Sequence, residues 1–180
     1  TGGLFNPTAN NWENPGMVQI LQGNEWYLYE DDFSSRTGNA YIGTKTLAID
    51  PQNSNHVYVG SRTGLYEFMS GKMIAYYNKD NSILQPAIDK GKELDNNYVL
   101  TYGLSYDKEG NLWILNSQTK KENLIRLSKD GQMTSFCKDA LMENGVGLNN
   151  LSQMHLDSHN LLWFCNDDWR KPGLFCYDPK

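Results

Sequence analysis

The feature that most constrains the fold is a short string that recurs along the chain. Residues 107–114 read DKEGNLWI, residues 157–164 read DSHNLLWF, and a looser copy occupies residues 50–59. Repeats with a period of about 50 residues are typical of folds in which copies of one supersecondary unit stack on one another. The chain is therefore expected to be a repeat protein.

Each copy of the string predicts a β-hairpin. Its aspartate follows a short apolar run and can accept backbone hydrogen bonds within a turn. Pro51 supplies the φ that the second turn position requires, and Gly110 and Asn160 are residue types that tolerate the left-handed conformation. Different residues therefore meet one backbone requirement, and a second apolar strand follows each turn.

A second hairpin is predicted in each unit. Residues 64–68 turn through Ser70 and Gly71 into 72–77, and residues 124–127 turn through Asp130 and Gly131 into 132–136. Glycine between apolar runs is a strong hairpin signal because it adopts positive φ without steric cost. Two further segments fit the same template, namely a hairpin that turns at Gly23 and a third strand at 173–177.

Four antiparallel strands repeated at this period predict an all-β protein made of β-propeller blades. The blades are expected at 17–30 (half), 45–78, 101–137 and 151–177 (incomplete). Because a closed ring typically needs four to eight blades, the chain is expected to be a partial propeller spanning 1–180, and its start without Met fits an excised fragment. A closed four-bladed ring, with residues 1–5 as the missing strand, is the alternative.

The amino-acid composition limits the classes of partner that this chain is expected to bind. The 180 residues carry a net charge of −5, and the basic residues are scattered, which argues against a nucleic-acid surface. No apolar run approaches the roughly 20 residues of a membrane span, so no direct membrane insertion is expected. The three cysteines are an odd number without metal-site spacing. Cys165 and Cys176 either face each other across the last hairpin or are buried free thiols.

No recognisable catalytic set is present, and we expect no enzyme activity. The chain lacks a G-x-S-x-G elbow and the glycine motifs of nucleotide-binding loops. His155, Asp157 and His159 alternate as metal ligands on a strand would, yet Asp157 should begin a turn, so no metal and no cofactor are expected. Paired carboxylates that act on sugars or lactones remain an open alternative.

Loops are the more promising place for a binding site. In an up-and-down blade, the loops after second strands share a face with the connections between blades, here 31–44, 78–100 and 138–150. Long loops on a rigid repeat commonly carry binding residues. The candidates on this face are Trp169, Arg170, Arg62 and Asn116. Trp169 either stacks on a sugar or a partner surface, or covers the blade edge.

The strings at 107–114 and 157–164, with GLYEF at 64–68, resemble the two-component regulator propeller repeat. The resemblance covers most of residues 45–177, although the copy at 50–59 lacks the GNLW core and Asn160 replaces a glycine. It implies seven-bladed propellers in periplasmic sensors of Bacteroidetes-type bacteria, where such ectodomains recognise glycan-derived oligosaccharides. A related group of cell-surface propellers serves secretion and attachment, and the Asn116-Ser117 ending is similar to those.

The resemblance implies a non-enzymatic sensory or ligand-binding module in the periplasm or at the cell surface. Its expected partners are an oligosaccharide, other blades or domains of the parent chain, and a second copy in a homodimer. The alternative is a structural or assembly propeller of the cell envelope. A propeller enzyme acting on sugars or lactones is the least favoured reading.

Overall fold

The computed structural model describes residues 16–29, 31–94 and 98–180, and these residues confirm the all-β class. Residues 1–5, the proposed extra strand, lie outside the described residues. The strands, in chain order, are β1 (Val18–Gln22), β2 (Glu25–Tyr29), β3 (Thr46–Asp50), β4 (Asn53–Gly60), β5 (Leu65–Met69), β6 (Lys72–Tyr77), β7 (Ile88–Asp89), β8 (Lys92–Glu93), β9 (Thr101–Tyr106), β10 (Leu112–Asn116), β11 (Leu124–Leu127), β12 (Met133–Phe136), β13 (Met142–Glu143), β14 (Val146–Gly147), β15 (Leu151–Leu156), β16 (Leu162–Asn166) and β17 (Gly173–Tyr177).

Three antiparallel sheets in simple up-and-down order form the body of the molecule. The first sheet is β3-β4-β5-β6, the second is β9-β10-β11-β12, and the third is β15-β16-β17. The first strand of the second sheet, β9, lies against both β3 and β15, so the second sheet sits between the other two. The assignment of these sheets as propeller blades, with the boundaries given above, stays a prediction.

The recurring string locks each hairpin turn to the strand that follows it. Asp107 is buried, and its carboxylate accepts hydrogen bonds from the Asn111 backbone N–H (2.8 Å) and the Trp113 indole N–H (2.8 Å). In the next copy Asp157 accepts the Trp163 indole N–H at 3.0 Å. The aspartate therefore holds the turn and the tryptophan side chain together.

The left-handed turn position is occupied as the sequence predicts. Gly110 has φ 81° and Asn160 has φ 66°, and these are the two residues at the corresponding place in the two strings. Glycine has no Cβ to clash there, and asparagine is among the residue types that tolerate this region. The same turn geometry therefore accommodates both sequences.

Aromatic packing fills the space between the second and third sheets. Trp113 is fully buried, with its ring centroid 5.4 Å from that of Phe136 and 5.3 Å from that of Tyr177 on the third sheet. Trp163 holds the equivalent register position but is 37% exposed. It differs because no further sheet lies against the third one among the described residues.

The first two sheets approach each other very closely where β4 ends. The Thr101 backbone N–H donates to the Ser61 carbonyl (3.0 Å), and a Cβ added to Gly60 would lie 1.8 Å from the Thr101 carbonyl oxygen. An apolar cluster then fills the space between the sheets, with Leu65, Leu104 and Ile114 among its buried members. Glycine at position 60 is therefore a packing requirement.

The connections predicted as long loops contain small elements that the sequence pattern does not indicate. Helix α1 spans Phe33–Thr37 and is capped by Asp32, whose carboxylate accepts the Ser35 backbone N–H at 3.0 Å. A 3₁₀ turn spans Asp139–Leu141. The two-residue strands β7–β8 and β13–β14 form two more hairpins. Elements this short have no measurable periodicity, so propensity and pattern do not reveal them.

Across the described ranges, no helix combines the length and apolar character needed to cross a membrane. The cysteines are free thiols, but the expectation of burial is wrong for Cys176, which is exposed, whereas Cys165 is half-buried. Cys176 pairs with Trp163 and shares its face of the third sheet, which no other sheet covers among the described residues.

Candidate functional site

Of the four sequence-predicted site residues, the structure places Arg170 in a cleft. The cleft lies between the β7–β8 and β13–β14 hairpins and encloses about 300 Å³; we call it the hairpin cleft. Its lining residues are Ile88, Asp89, Lys90, Gly91, Gln118, Glu143, Asn144, Val146, Gly147, Leu148, Asn149, Asn166, Asp168, Arg170 and Lys171. Two connections and two loops after second strands thus meet at one site.

The other three predicted residues lie elsewhere. Trp169 stands beside the cleft with 86% of its surface exposed, outside the lining. Asn116 is fully buried, and its side-chain oxygen accepts the Gln85 backbone N–H at 2.7 Å, so its amide is part of the scaffold. The Arg62 guanidinium lies 5.6 Å from the centroid of the Tyr98 ring, in a different part of the loop face.

The loop after β10 fastens both hairpins and sets the shape of the cleft. The Ile88 backbone N–H donates to the Gln118 carbonyl (2.7 Å), and the Gln118 side-chain amide donates back to the Ile88 carbonyl (2.8 Å). On the other side, the Gly147 backbone N–H donates to the Thr119 carbonyl (2.7 Å). Gln118 itself adopts φ 61°, an uncommon conformation for this residue type. The loop after β10 is therefore hydrogen-bonded to both hairpins that border the cleft.

The charged centre of the cleft is a bidentate ion pair. Arg170 Nε and Nη2 donate to the two carboxylate oxygens of Asp168 at 2.8 and 2.7 Å, and the Asn149 side-chain amide donates to the same carboxylate at 3.2 Å. Hydrogen bonding from Arg170 is the main cause that lowers the pKa of Asp168 and raises that of Arg170. Planar fork pairs of this kind fix the orientation of both side chains.

The loop that carries the ion pair is tied to the neighbouring hairpin. The Lys171 ammonium donates to the Met142 carbonyl at 3.1 Å, and the Asn166 side-chain amide donates to the Lys171 carbonyl at 2.6 Å. The Asn166 side-chain oxygen in turn accepts the Asn150 backbone N–H at 3.0 Å. These hydrogen bonds involve backbone groups of Met142, Lys171 and Asn150, and together they hold the loop that carries Arg170 in place.

The lining of the cleft mixes acidic, basic and amide side chains. Its acids are Asp89, Glu143 and Asp168, and its bases are Lys90, Arg170 and Lys171, so donors and acceptors are interspersed with no net charge. No serine, cysteine, threonine or histidine is in its lining. Within the described part of the chain, no three His, Cys, Asp or Glu side chains are grouped as a metal site.

Sequence reasoning did not identify the rest of the cleft. Asp168 stands two residues before Arg170, and that spacing in a polar loop is a usable signal for a local ion pair. Gln118 and the hairpin residues carry no such signal, because their place depends on how the connections between sheets fold back. The sequence therefore indicated the face and one residue of the cleft.

Comparison with known proteins supports the fold. No protein-family model and no curated protein matches the chain. Among solved structures, it is similar to PorZ, an essential bacterial surface component of the type-IX secretion system of Porphyromonas gingivalis, with a TM-score of 0.74 and 19% identity over 89% of this chain and 21% of PorZ. It is also similar to the extracellular domain of the putative hybrid two component system BT3049 from B. thetaiotaomicron, with a TM-score of 0.57 and 16% identity over 90% of this chain and 18% of that one.

The chain spans about a fifth of the length of either structure. At these identities the similarity describes the arrangement of the strands. The two solved structures belong to the same two classes of protein that the resemblance of the repeat strings implies, namely a sensor ectodomain and a secretion-associated surface protein.

Proposed function

We propose that this chain is a non-enzymatic ligand-recognition part of a bacterial sensor, in the periplasm or at the cell surface. Its hairpin cleft binds a carbohydrate-derived ligand, with Arg170 and Asp168 as the central polar groups. The similarity to an extracellular domain of a putative hybrid two component system supports the sensor context. The observation that carries the assignment of the site is the rigid Asp168–Arg170 pair between two hairpins.

The chemistry of the cleft fits a polyhydroxylated ligand. Sugar hydroxyls both donate and accept, so they match a lining in which acids, bases and amides alternate. Trp169 presents an exposed indole next to Arg170, on which the apolar face of a sugar ring can stack. A ligand that spans the cleft and reaches Trp169 would use both residues.

A second candidate function is a structural or assembly module of the cell envelope. The similarity to PorZ, a secretion-system surface component, supports it. The specific observation in its favour is an apolar cleft of about 540 Å³ beside β3, where Leu47 and Ile49 are each more than half exposed. Exposed apolar patches of this kind commonly mark protein–protein interaction sites.

Glycan-array screening of the purified chain, followed by calorimetry on the hits, tests the sensor proposal. Arg170→Ala should weaken binding by roughly ten-fold, because it removes charge-assisted hydrogen bonds to the ligand. Trp169→Ala should weaken it as well if the indole stacks on the ligand. Circular dichroism would verify that both variants keep the all-β fold.

Arg36→Ala is the matched control. Arg36 is 45% exposed and pairs with Asp31, whereas Arg170 is 51% exposed and pairs with Asp168, but Arg36 lies outside the hairpin cleft. Equal loss in both arginine variants would indicate a non-specific charge effect. Absence of any glycan binding, together with loss of protein partners in a Leu47→Asp variant, would replace the sensor proposal with the assembly function.

A further inference from the structure

In the first copy of the repeat string, the aspartate bonds to a histidine instead of a tryptophan. The strand position of Trp113 is held there by Tyr58, which pairs with Ala48, and His56 lies two residues before it. Asp107 and Asp157 each bond to the indole of a tryptophan six residues later. Asp50 instead has His56 six residues later, with the imidazole Nδ1 3.0 Å from the Asp50 carboxylate. An indole keeps its proton at every physiological pH, whereas an imidazole can lose it.

The second nitrogen of the same ring faces another carboxylate. His56 Nε2 lies 2.7 Å from Glu67 Oε1, and the Tyr77 hydroxyl donates to Glu67 Oε2 at 2.6 Å. Ionised carboxylates only accept hydrogen bonds, so both ring nitrogens of His56 must carry a proton for both contacts to be favourable. The geometry therefore describes an imidazolium held between two carboxylates.

The three side chains are shielded from solvent, which strengthens the interactions. His56, Asp50 and Glu67 are 17%, 24% and 12% exposed, respectively. They border a cleft of about 470 Å³ between the first and second sheets. The titratable and charged groups that face His56 across this cleft are Asp50 (β3), Tyr58 (β4), Glu67 (β5), Tyr77 (β6), Tyr106 (β9), and Lys129 and Asp130 in the turn before β12.

We propose that His56, Asp50 and Glu67 form a pH-dependent ion-pair cluster in the first sheet. This cluster links the β3–β4 turn to β5, and the link weakens when the imidazolium loses its proton. The loosening would open the cleft that this sheet shares with the second sheet. The second and third sheets lack this response because Asp107 and Asp157 bond to tryptophan indoles, which do not titrate.

The electrostatics of the site agree with the geometry. Burial alone would lower the pKa of His56, but hydrogen bonds and charge attraction from Asp50 and Glu67 outweigh it, so that the pKa lies above the ordinary 6.5. A raised pKa means that the stabilisation is fully present below the unfolded value and is lost as pH rises through the folded value. The link is therefore intact below pH 6.5 and is lost as the pH rises through the raised pKa of His56.

Two measurements on the same sample test the proposal. NMR titration of the imidazole resonances follows the charge of His56, with His155 and His159 as the other two histidine signals. Hydrogen-exchange protection factors, corrected for the intrinsic pH dependence of exchange, follow the amides of β4 and β5. Protection should fall roughly ten-fold as His56 deprotonates, since losing a charge-assisted hydrogen bond has about this effect. Amides of β10 and β11, beside Trp113, should keep their protection.

Two variants make the result decisive. His56→Gln removes the titration and should make the β4 and β5 protection factors independent of pH, whereas His159→Gln should leave the wild-type response intact. Glu67→Gln keeps the shape of the side chain and should lower the midpoint of the His56 titration. If the pH response of β4 and β5 persists in His56→Gln, or if the His56 midpoint is unchanged in Glu67→Gln, the proposal is wrong.

Discussion

Removing the aspartate from two copies of one turn tests how the repeat stabilises the fold. Asp107→Ala leaves the buried Trp113 indole N–H and the Asn111 backbone N–H without acceptors. Each buried donor without a partner costs about 1–3 kcal/mol. The indole N–H is the buried donor of the two, and Asn111 is half-buried, so we expect Asp107→Ala to lower the free energy of unfolding by about 3 kcal/mol.

The third sheet supplies a matched comparison. Asp157 makes the same bond to the Trp163 indole, but that tryptophan is 37% exposed. Water can replace the lost acceptor there, so Asp157→Ala should lower the free energy of unfolding clearly less than Asp107→Ala does. The predicted gap between the two variants therefore arises mainly from burial. A smaller part comes from the Asn111 side-chain amide, which also donates to Asp107 (2.8 Å) and has no counterpart at Leu161.

Urea unfolding followed by circular dichroism measures both variants under the same conditions. A change in midpoint at constant slope reports stability, whereas a changed slope would report a change in the denatured state. If Asp157→Ala proves as costly as Asp107→Ala, the desolvation argument fails and the aspartate must act mainly through the backbone of the turn. Asn in place of Asp at each position would then identify the oxygen that matters.

Two further substitutions test the packing between sheets. Gly60→Ala should lower the free energy of unfolding by more than about 3 kcal/mol or prevent folding, because its Cβ would lie 1.8 Å from the Thr101 carbonyl oxygen. Gly23→Ala, whose Cβ would have no atom within 4 Å, should cost only about 1 kcal/mol through its positive φ. Thermal unfolding of both variants separates the steric effect from the backbone effect. Trp113→Ala should lower the free energy of unfolding by about 3–5 kcal/mol, as truncation of a buried aromatic side chain does. Trp163→Ala should lower it clearly less, since part of that side chain already faces water. Equal losses of stability in urea unfolding would refute the argument from burial.

The sequence predicted the elements that obey a local rule. Strand pairs such as β5–β6 and β11–β12 follow alternating apolar residues on either side of a glycine turn, and the structure confirms both. The turn positions Gly110 and Asn160 were predictable because few residue types adopt positive φ. Local chemistry alone determines these features, so one sequence suffices to find them.

The elements that depend on long-range packing were not predictable. The β7–β8 hairpin is held by Gln118, thirty residues away in the chain, and its own strands are too short to show a period. Burial of Asn116 follows from its bond to Gln85 in another connection. Arg170 was found because it lies in a polar loop, but its Asp168 partner orients it in a way that only the folded loop reveals.

In a repeat protein, departures from the repeat are the places that stability alone does not explain. The Asp107–Trp113 bond recurs at Asp157 and Trp163, and a need for a stable turn accounts for both. His56 breaks the pattern where an indole would satisfy the same aspartate, and it brings a second buried carboxylate, Glu67, that an indole would not need. Residues that violate a local rule without an evident structural gain are commonly functional. The connections around Arg170 are a different case, because Leu141 and Leu148 belong to the apolar core beside the third sheet and so also stabilise the fold. The hairpin cleft and the His56 cleft therefore need separate experiments.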